Sequence, residues 1–178
     1  KLQVQGGDRC EMGDLNKFSD VKGQCLARVR VLPSELLRFE KGKVYAPPGF
    51  KEAYDRYCQD GWITMTADPQ WGGQGLPAGF ALAFGEMLCS GNMAWKMYSG
   101  LTESASLTLE AHGTDELKRR YLPKMVSGEW AGTMCLTEPH AGSDLAILRT
   151  RAEPLGDGSY AITGSKIYIT AGEHDLTS

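Results

Sequence analysis

The stretch MCLTEPHAGSDL, residues 134–145, places a histidine, a serine and an aspartate within five positions: His140, Ser143 and Asp144. These are the side chains of a hydrolytic triad, whose members converge in a set order, usually from distant parts of a fold. On one short loop they have difficulty lining up in that order. Ser143 also lies in AGSDL rather than in a GxSxG nucleophile elbow. The spacing therefore argues against a nucleophilic site.

The same stretch suits a loop that holds a flavin or a nucleotide. Gly142 lacks a Cβ atom and so permits close approach to backbone N–H groups. Thr137 and Ser143 add hydroxyl donors, and donors near N1 and O2 of a reduced isoalloxazine stabilise its negative charge. An ordinary surface turn in which Asp144 serves as an Asx cap is the alternative, and the residues alone leave both open.

Upstream of this loop the pattern predicts helices. Ser34 is a candidate cap for a short helix that includes Leu37, and Thr114 is a candidate cap for a helix that Pro123 ends or kinks. Residues 18–126 therefore predict a helical bundle with short loops. The apolar stripes at three- and four-residue steps cover residues 18–32, 50–58, 80–88 and 98–112.

Downstream the pattern changes to strands. Residues 129–136, EWAGTMCL, are compatible with a strand, and residues 148–170 predict three strands, with a hairpin turn at GDGS, residues 156–159. The predicted fold class is α+β, with a helical domain over 1–128 and the first strands of an antiparallel β-domain over 129–178. Because a sheet ending there would leave an unpaired edge, we expect a piece of a longer protein.

Composition narrows the function classes. The 178 residues are 42% hydrophobic and 23% charged with a net charge of −3, ordinary values for a soluble globular protein. Without a Lys/Arg block we expect no nucleic-acid partner. No apolar run approaches the ~20 residues of a membrane span. The chain does not begin with Met, so a lost targeting segment stays an open alternative.

Five cysteines and three histidines are scattered without a CxxC pair, so we expect no metal site. The odd, unclustered cysteine count predicts buried thiols in a reducing compartment.

Each of two further motifs allows two interpretations. DPQWGGQGLP, residues 68–77, has neither GxGxxG nor Walker spacing, which favours an inter-helix loop with Trp71 packed inward over a phosphate site. In SKIYIT, Tyr168 and Thr170 occupy alternate positions on one side of a predicted strand. They would flank a flat ligand or be ordinary sheet residues.

Taken together, these motifs resemble the acyl-CoA dehydrogenase family over about residues 45–178. The resemblance rests on MCLTEPHAGSDL, on GSKIYIT and on RYLPKMVSGEW, and DPQWGGQGLP and AHGTDELKRRYL agree with it. Ile147 departs from the family, which usually has a small residue there, and Tyr168 replaces a common Trp. Within the family, PPGFKEAYDRYCQDGW and GTMCLTEPHAGSDL are most similar to the large bacterial branch that contains 3-methylmercaptopropionyl-CoA dehydrogenase and related fatty acyl-CoA dehydrogenases.

The resemblance implies FAD as cofactor and an N-terminal helical, a middle β and a C-terminal four-helix domain. It implies removal of an α-proton from an acyl-CoA and transfer of the β-hydride to flavin N5, with Thr170 bonding N5 and Ser143 also touching CoA. The glutamate base is expected beyond residue 178, so we assign no catalytic residue here. The implied FAD residues are Met134, Cys135, Leu136, Thr137, Glu138, Gly142, Ser143, Tyr168, Ile169 and Thr170.

MYSGLTES, residues 97–104, would line the acyl cavity through Tyr98, Leu101 and Thr102, and core packing is an equal alternative. The implied partners are an acyl-CoA substrate, electron-transfer flavoprotein and a second copy in a homodimer or homotetramer, in a bacterial cytoplasm. We expect the chain alone to be inactive and to bind FAD weakly. Alternative functions are an acyl-CoA oxidase or flavin monooxygenase on the same scaffold, or a non-catalytic binding or assembly module.

Overall fold

A β-hairpin begins the part of the chain, residues 37–177, that the computed structural model describes. Strand β1 (Arg38–Glu40) pairs antiparallel with β2 (Lys43–Tyr45). Lys41 and Gly42 both have positive φ (51° and 81°), as a two-residue hairpin turn with matching twist requires. Leu37, which the expected short helix includes, is not helical and leads directly into β1. The predicted stripe over 18–32 and the cap at Ser34 lie outside the described residues.

Three α-helices follow: α1 (Phe50–Gln59), α2 (Ala78–His112) and α3 (Asp115–Val126). Helix α2 is kinked at Asn92, whose φ of −159° and ψ of 98° are not helical. The Asn92 side-chain oxygen accepts a hydrogen bond from Trp95 N (3.0 Å), so the residue acts as an internal cap that restarts the helix. DPQWGGQGLP forms a short 3₁₀ turn, Pro69–Trp71, in the connection before α2, and its Trp71 is half-buried.

Aromatic rings of α1 and α2 form the core. Trp95 is 1% exposed, donates through Nε1 to Phe50 O (3.1 Å) and meets the Tyr57 ring edge-on at 5.3 Å. The expected stripe from Tyr98 to His112 has the wrong phase, because the buried positions are Trp95, Ser99 and Thr102. Small hydroxyl side chains at the last two let neighbouring backbone approach, which apolar spacing alone does not reveal.

Thr114 caps α3 as predicted, its hydroxyl accepting from Leu117 N (3.3 Å). Pro123 does not end the helix, which continues to Val126. Proline removes one backbone donor. The last turn is nevertheless held by burial of Met125 and Val126 and by the bond from Ser127 N to Pro123 O (3.1 Å).

The predicted order of helices followed by antiparallel strands is confirmed. Strand β3 (Arg151–Pro154) pairs antiparallel with β4 (Tyr160–Thr163) around the GDGS turn. Gly156 and Gly158 have positive φ (83° and 88°), and the Asp157 carboxylate accepts from Ser159 N (2.8 Å). These local preferences explain why the sequence located this turn correctly.

Two other predicted strands, over 129–136 and 165–170, do not form regular ladders. The segments 133–137 and 166–170 still run antiparallel, joined by Ile167 N to Thr137 O (2.9 Å) and Thr133 Oγ1 to Thr170 O (2.6 Å). Tyr168 has a φ of 55°, which interrupts the alternation of a strand. Tyr168 and Thr170 therefore do not lie on one side of a regular strand, as expected.

After these segments the chain returns to the helical core. Leu176 is buried among the core aromatics, and the Asp175 carboxylate accepts from Ala46 N (2.8 Å). The His174 ring meets Tyr98 edge-on at 5.1 Å. These contacts tether the end of the described β-segment to the helices.

Two of the three cysteines in the described part of the chain differ from expectation. Cys89 and Cys135 are exposed, so the expectation of buried thiols is wrong for them, whereas Cys58 is half-buried on α1. Burial raises the pKa of the Cys58 thiol to about 11.

Because only the thiolate reacts, we expect Cys58 to be alkylated by iodoacetamide at pH 8 at least about tenfold more slowly than Cys135. Peptide mass spectrometry over a time course measures both rates in one sample. Equal rates in the native protein would contradict the buried environment of Cys58. Denaturation in urea, as a control, should equalise them.

Candidate cofactor site

The loop at the centre of MCLTEPHAGSDL is a tight turn. Glu138 and Ala141 exchange two backbone hydrogen bonds, Glu138 N to Ala141 O (2.8 Å) and Ala141 N to Glu138 O (3.1 Å). Asp144 accepts from Ala146 N (3.0 Å) and caps the 3₁₀ turn Leu145–Ile147. Asp144 is thus an Asx cap, as the alternative for this loop anticipated.

No triad forms in this turn. The His140 Nε2 atom lies 3.1 Å from Ile147 O and 3.5 Å from a Glu138 carboxylate oxygen, while Asp144 bonds the backbone of Ala146. Within residues 37–177, no hydrogen bond joins Ser143 to His140. The spacing argument against a nucleophile agrees with this geometry.

Glu138 is the buried charge of the site, only 3% exposed. Its Oε2 accepts from Arg149 N (2.8 Å), and its Oε1 accepts from Thr150 N (3.0 Å), Thr150 Oγ1 (2.5 Å) and Lys166 Nζ (2.9 Å). The Thr150 hydroxyl, the Arg149 amide and the Lys166 ammonium hold the pKa of this carboxyl well below its usual range. Glu138 is therefore ionised, and both of its carboxylate oxygens accept hydrogen bonds.

Lys166 links the two halves of the site. Besides its ion pair with Glu138, its ammonium donates to Leu136 O (3.0 Å). Thr150 and Lys166 are functional candidates that sequence reasoning missed. A single threonine and a single lysine, 12 and 28 positions from Glu138, carry no local signal.

The segments beside this pair carry unused donors. In the described part of the chain, the N–H groups of Leu136 and Thr137 have no hydrogen-bond partner, and neither do the hydroxyls of Thr137, Ser143 and Thr170. Among the residues that the structure describes, a Cβ atom added at Gly142 would meet only the Thr137 methyl, at 3.7 Å. The loop thus presents donors and an open cradle to a ligand, which fits a flavin.

Exposure separates the predicted cofactor residues into two groups. Glu138 is buried and fully bonded within the chain, whereas Tyr168 is 84% exposed. The structure brings the two segments that contain these residues side by side. The remaining predicted cofactor residues, which are exposed or half-buried, are Met134, Cys135, Leu136, Thr137, Gly142, Ser143, Ile169 and Thr170.

The predicted acyl-cavity residues lie on α2, and two of them take part in packing. Thr102 is buried, and its hydroxyl accepts from Gly132 N (3.0 Å). Tyr98 is half-buried between the rings of Phe50 and His174. Leu101 is half-buried as well. Among residues 37–177, no hydrogen bond or ring contact joins these three to Ser143.

The burial of Glu138 predicts a pH dependence of folding. A depressed carboxyl pKa contributes stability that is complete above the unfolded-state pKa, about 4.3, and is lost as the pH falls below it. We therefore expect Glu138→Gln to lower the free energy of unfolding at pH 7, and the gap from wild type to narrow towards pH 3.

Urea titrations at both pH values measure this gap. The control is Glu153→Gln, which changes an exposed carboxylate on β3 and should have little effect at either pH. A gap for Glu138→Gln that widens on acidification would contradict the ionised state.

No helix within residues 37–177 is long and apolar enough to cross a bilayer. The same residues contain no group of three or more His, Cys, Asp or Glu side chains arranged to hold a metal ion.

Comparison with known proteins places this geometry in a family. The profile of the acyl-CoA dehydrogenase N-terminal domain matches residues 30–129. The chain is 42% identical to 3-methylmercaptopropionyl-CoA dehydrogenase of Ruegeria pomeroyi over 92% of its own length and 28% of the relative's. The chain thus spans little more than a quarter of that curated relative.

Solved structures agree. Butyryl-CoA dehydrogenase from Megasphaera elsdenii superposes with a TM-score of 0.69 at 26% identity, over 93% of this chain and 43% of that one. An acyl-CoA dehydrogenase from Bacillus anthracis complexed with FAD superposes with a TM-score of 0.60 at 25% identity, over 69% and 21%. From the matched N-terminal domain and these shared folds, the chain belongs to the acyl-CoA dehydrogenase family.

Proposed function

We propose that this chain forms the N-terminal helical domain, residues 1–128, and the start of the β-domain, residues 129–178, of an FAD-dependent acyl-CoA dehydrogenase. The observation that carries the proposal is the pair of adjacent segments, 133–137 and 166–170, with unused donors beside an open glycine. The family profile, which ends at residue 129, supports the domain boundary. The FAD in the Bacillus anthracis relative supports the cofactor.

The free N–H groups of Leu136 and Thr137 suit the pyrimidine edge of the flavin, whose O2 and N1 accept hydrogen bonds. Thr170 would donate its hydroxyl to flavin N5, and the exposed Tyr168 ring would shield one face of the flavin. Ser143 would serve both the cofactor and the CoA moiety. In this arrangement Ser143 is a hydrogen-bond donor and not a nucleophile.

Bound FAD would supply a hydride acceptor for α,β-desaturation of an acyl-CoA thioester. The chain's own residues would bind and orient the cofactor, and a glutamate outside this chain would take the α-proton. Tyr98, Leu101 and Thr102 are the candidate cavity residues. The internal contacts of Tyr98 and Thr102 support a packing role for those two, which leaves Leu101 as the better candidate.

Purification of the full protein that the gene encodes tests the proposal. It should be yellow from FAD, and anaerobic addition of an acyl-CoA should bleach it. We expect slow reoxidation by oxygen and fast reoxidation by electron-transfer flavoprotein. A colourless protein that FAD does not reconstitute would contradict the proposal and support a non-catalytic module.

Rapid reoxidation by oxygen would instead identify an oxidase or monooxygenase on the same scaffold. The mass of the native protein would show whether it is a homodimer or homotetramer, as we propose.

A further inference from the structure

Three separate segments of the chain meet at one buried carboxylate. The Glu138 oxygens accept from the backbone of Arg149 and Thr150, just before β3, and from the ammonium of Lys166, the first residue of the second proposed flavin segment, 166–170. Lys166 also binds Leu136 O in the first segment. Glu138 and Lys166 thus join both proposed flavin segments to the hairpin.

We call the contacts of Glu138 with Thr150 and Lys166 the junction. Its position affects the cofactor site because Glu138 and Lys166 lie next to the residues that we propose contact the flavin. Glu138 follows Thr137 directly, and Lys166 precedes Tyr168 by two residues. Beside this ion pair, a backbone hydrogen bond from Ile167 N to Thr137 O (2.9 Å) also joins the two segments. A change in the length of the Glu138–Lys166 contact would therefore shift one set of donors relative to the other.

We propose that Glu138 is a positioning residue for the flavin rather than a cofactor ligand: through Lys166 and Thr150 it sets the spacing of the two segments that hold the isoalloxazine. This inference rests on the proposed function, and it replaces the expectation that Glu138 itself touches FAD. Supporting residues that lock donors in place are a general requirement of a preorganised site.

Glutamine is a stringent probe because it has the shape of glutamate. Each Glu138 oxygen accepts from a backbone N–H group: Oε2 faces Arg149 N, with His140 Nε2 3.5 Å away, and Oε1 faces Thr150 N, the Thr150 hydroxyl and Lys166 Nζ. Whichever way the amide turns, its NH₂ group points at a backbone N–H. At least one donor loses its acceptor, and the junction must open.

The reduction potential of bound FAD distinguishes positioning from simple electrostatics. Removing a negative charge near a flavin would by itself make reduction easier and raise the potential. Misplacing the hydrogen-bond donors that stabilise the reduced, anionic ring would lower the potential. The two explanations therefore predict opposite signs for Glu138→Gln.

The experiment compares wild type, Glu138→Gln and Glu153→Gln in the full protein that the gene encodes. We expect Glu138→Gln to weaken FAD binding about tenfold or more, as the loss of charge-assisted hydrogen bonds implies, and to lower the potential of the flavin that remains bound. Glu153→Gln, an exposed change on the same hairpin, should match wild type.

Thr150→Val is the second variant, because it removes one donor without changing the charge and keeps the Thr150 N–H. We expect the same signs with a smaller effect, so the test stands if Glu138→Gln does not fold or binds no FAD. FAD affinity and potential unchanged in Thr150→Val, or a raised potential in Glu138→Gln, would overturn the inference even if the melting temperature falls.

The experiment also distinguishes failure of the proposed function from failure of the positioning role. If wild type itself binds no FAD, the proposed function is wrong and this inference falls with it. If wild type binds FAD and both variants behave like wild type, only the positioning role is wrong.

Discussion

Trp95→Ala is expected to lower the free energy of unfolding by about 3–5 kcal/mol, the range for removal of a fully buried aromatic side chain. Trp95 lies at the centre of the aromatic core, in contact with Tyr57. Its loss also removes the hydrogen bond that the indole Nε1 donates to Phe50 O at 3.1 Å. Because domains are stable by only about 5–15 kcal/mol, the variant should be close to unfolding.

Urea unfolding followed by circular dichroism measures this loss. Leu82→Ala is the matched control, because Leu82 lies on the same helix and is 80% exposed. We expect that change to cost less than about 0.5 kcal/mol. Trp95→Phe keeps an aromatic ring but loses the indole donor, and should fall between the two. Equal effects of Trp95→Ala and Leu82→Ala would refute the central place of Trp95.

Gly142→Val is expected to weaken FAD binding by about tenfold or more while leaving the fold intact, since about 1.4 kcal/mol of lost contact is tenfold in affinity. Among residues 37–177, a Cβ atom at this position meets only the Thr137 methyl, at an ordinary van der Waals distance. The added bulk therefore faces the space where we place the cofactor. FAD titration and thermal unfolding of the apoprotein measure the two effects separately.

At Gly128, in contrast to Gly142, an added side chain would clash with the protein itself. It has a φ of 80°, and an added Cβ would lie 2.5 Å from Cys58 Sγ, so Gly128→Ala should destabilise the apoprotein directly. Gly79→Val is the neutral control, because a Cβ atom added there meets no atom of the described residues within 4 Å. Unchanged FAD affinity in Gly142→Val would refute the assignment of this loop to the cofactor.

Local chemistry explains which elements were predictable. The GDGS hairpin and the Thr114 cap depend on the φ preferences and hydrogen bonds of residues a few positions apart, and both were predicted correctly. The helical phase of α2 was predicted correctly before the kink at Asn92, where Phe84 and Leu88 are buried, but not after it. Trp95, Ser99 and Thr102 are buried because other segments pack against them, and Thr102 faces Gly132, 30 positions away. Apolar spacing within one helix contains no information about such a partner.

By itself, the sequence determined the family, the order of helices before strands and the loop that we assign to the cofactor. Each of these follows from short motifs whose backbone requirements are local. Only the tertiary structure decided the role of Glu138. Its burial and its ionised state come from donors 11, 12 and 28 positions away, which become neighbours only when the hairpin and the second flavin segment fold against the loop. Hydrogen-bond donors around a carboxyl group lower its pKa, and folding brings those donors together.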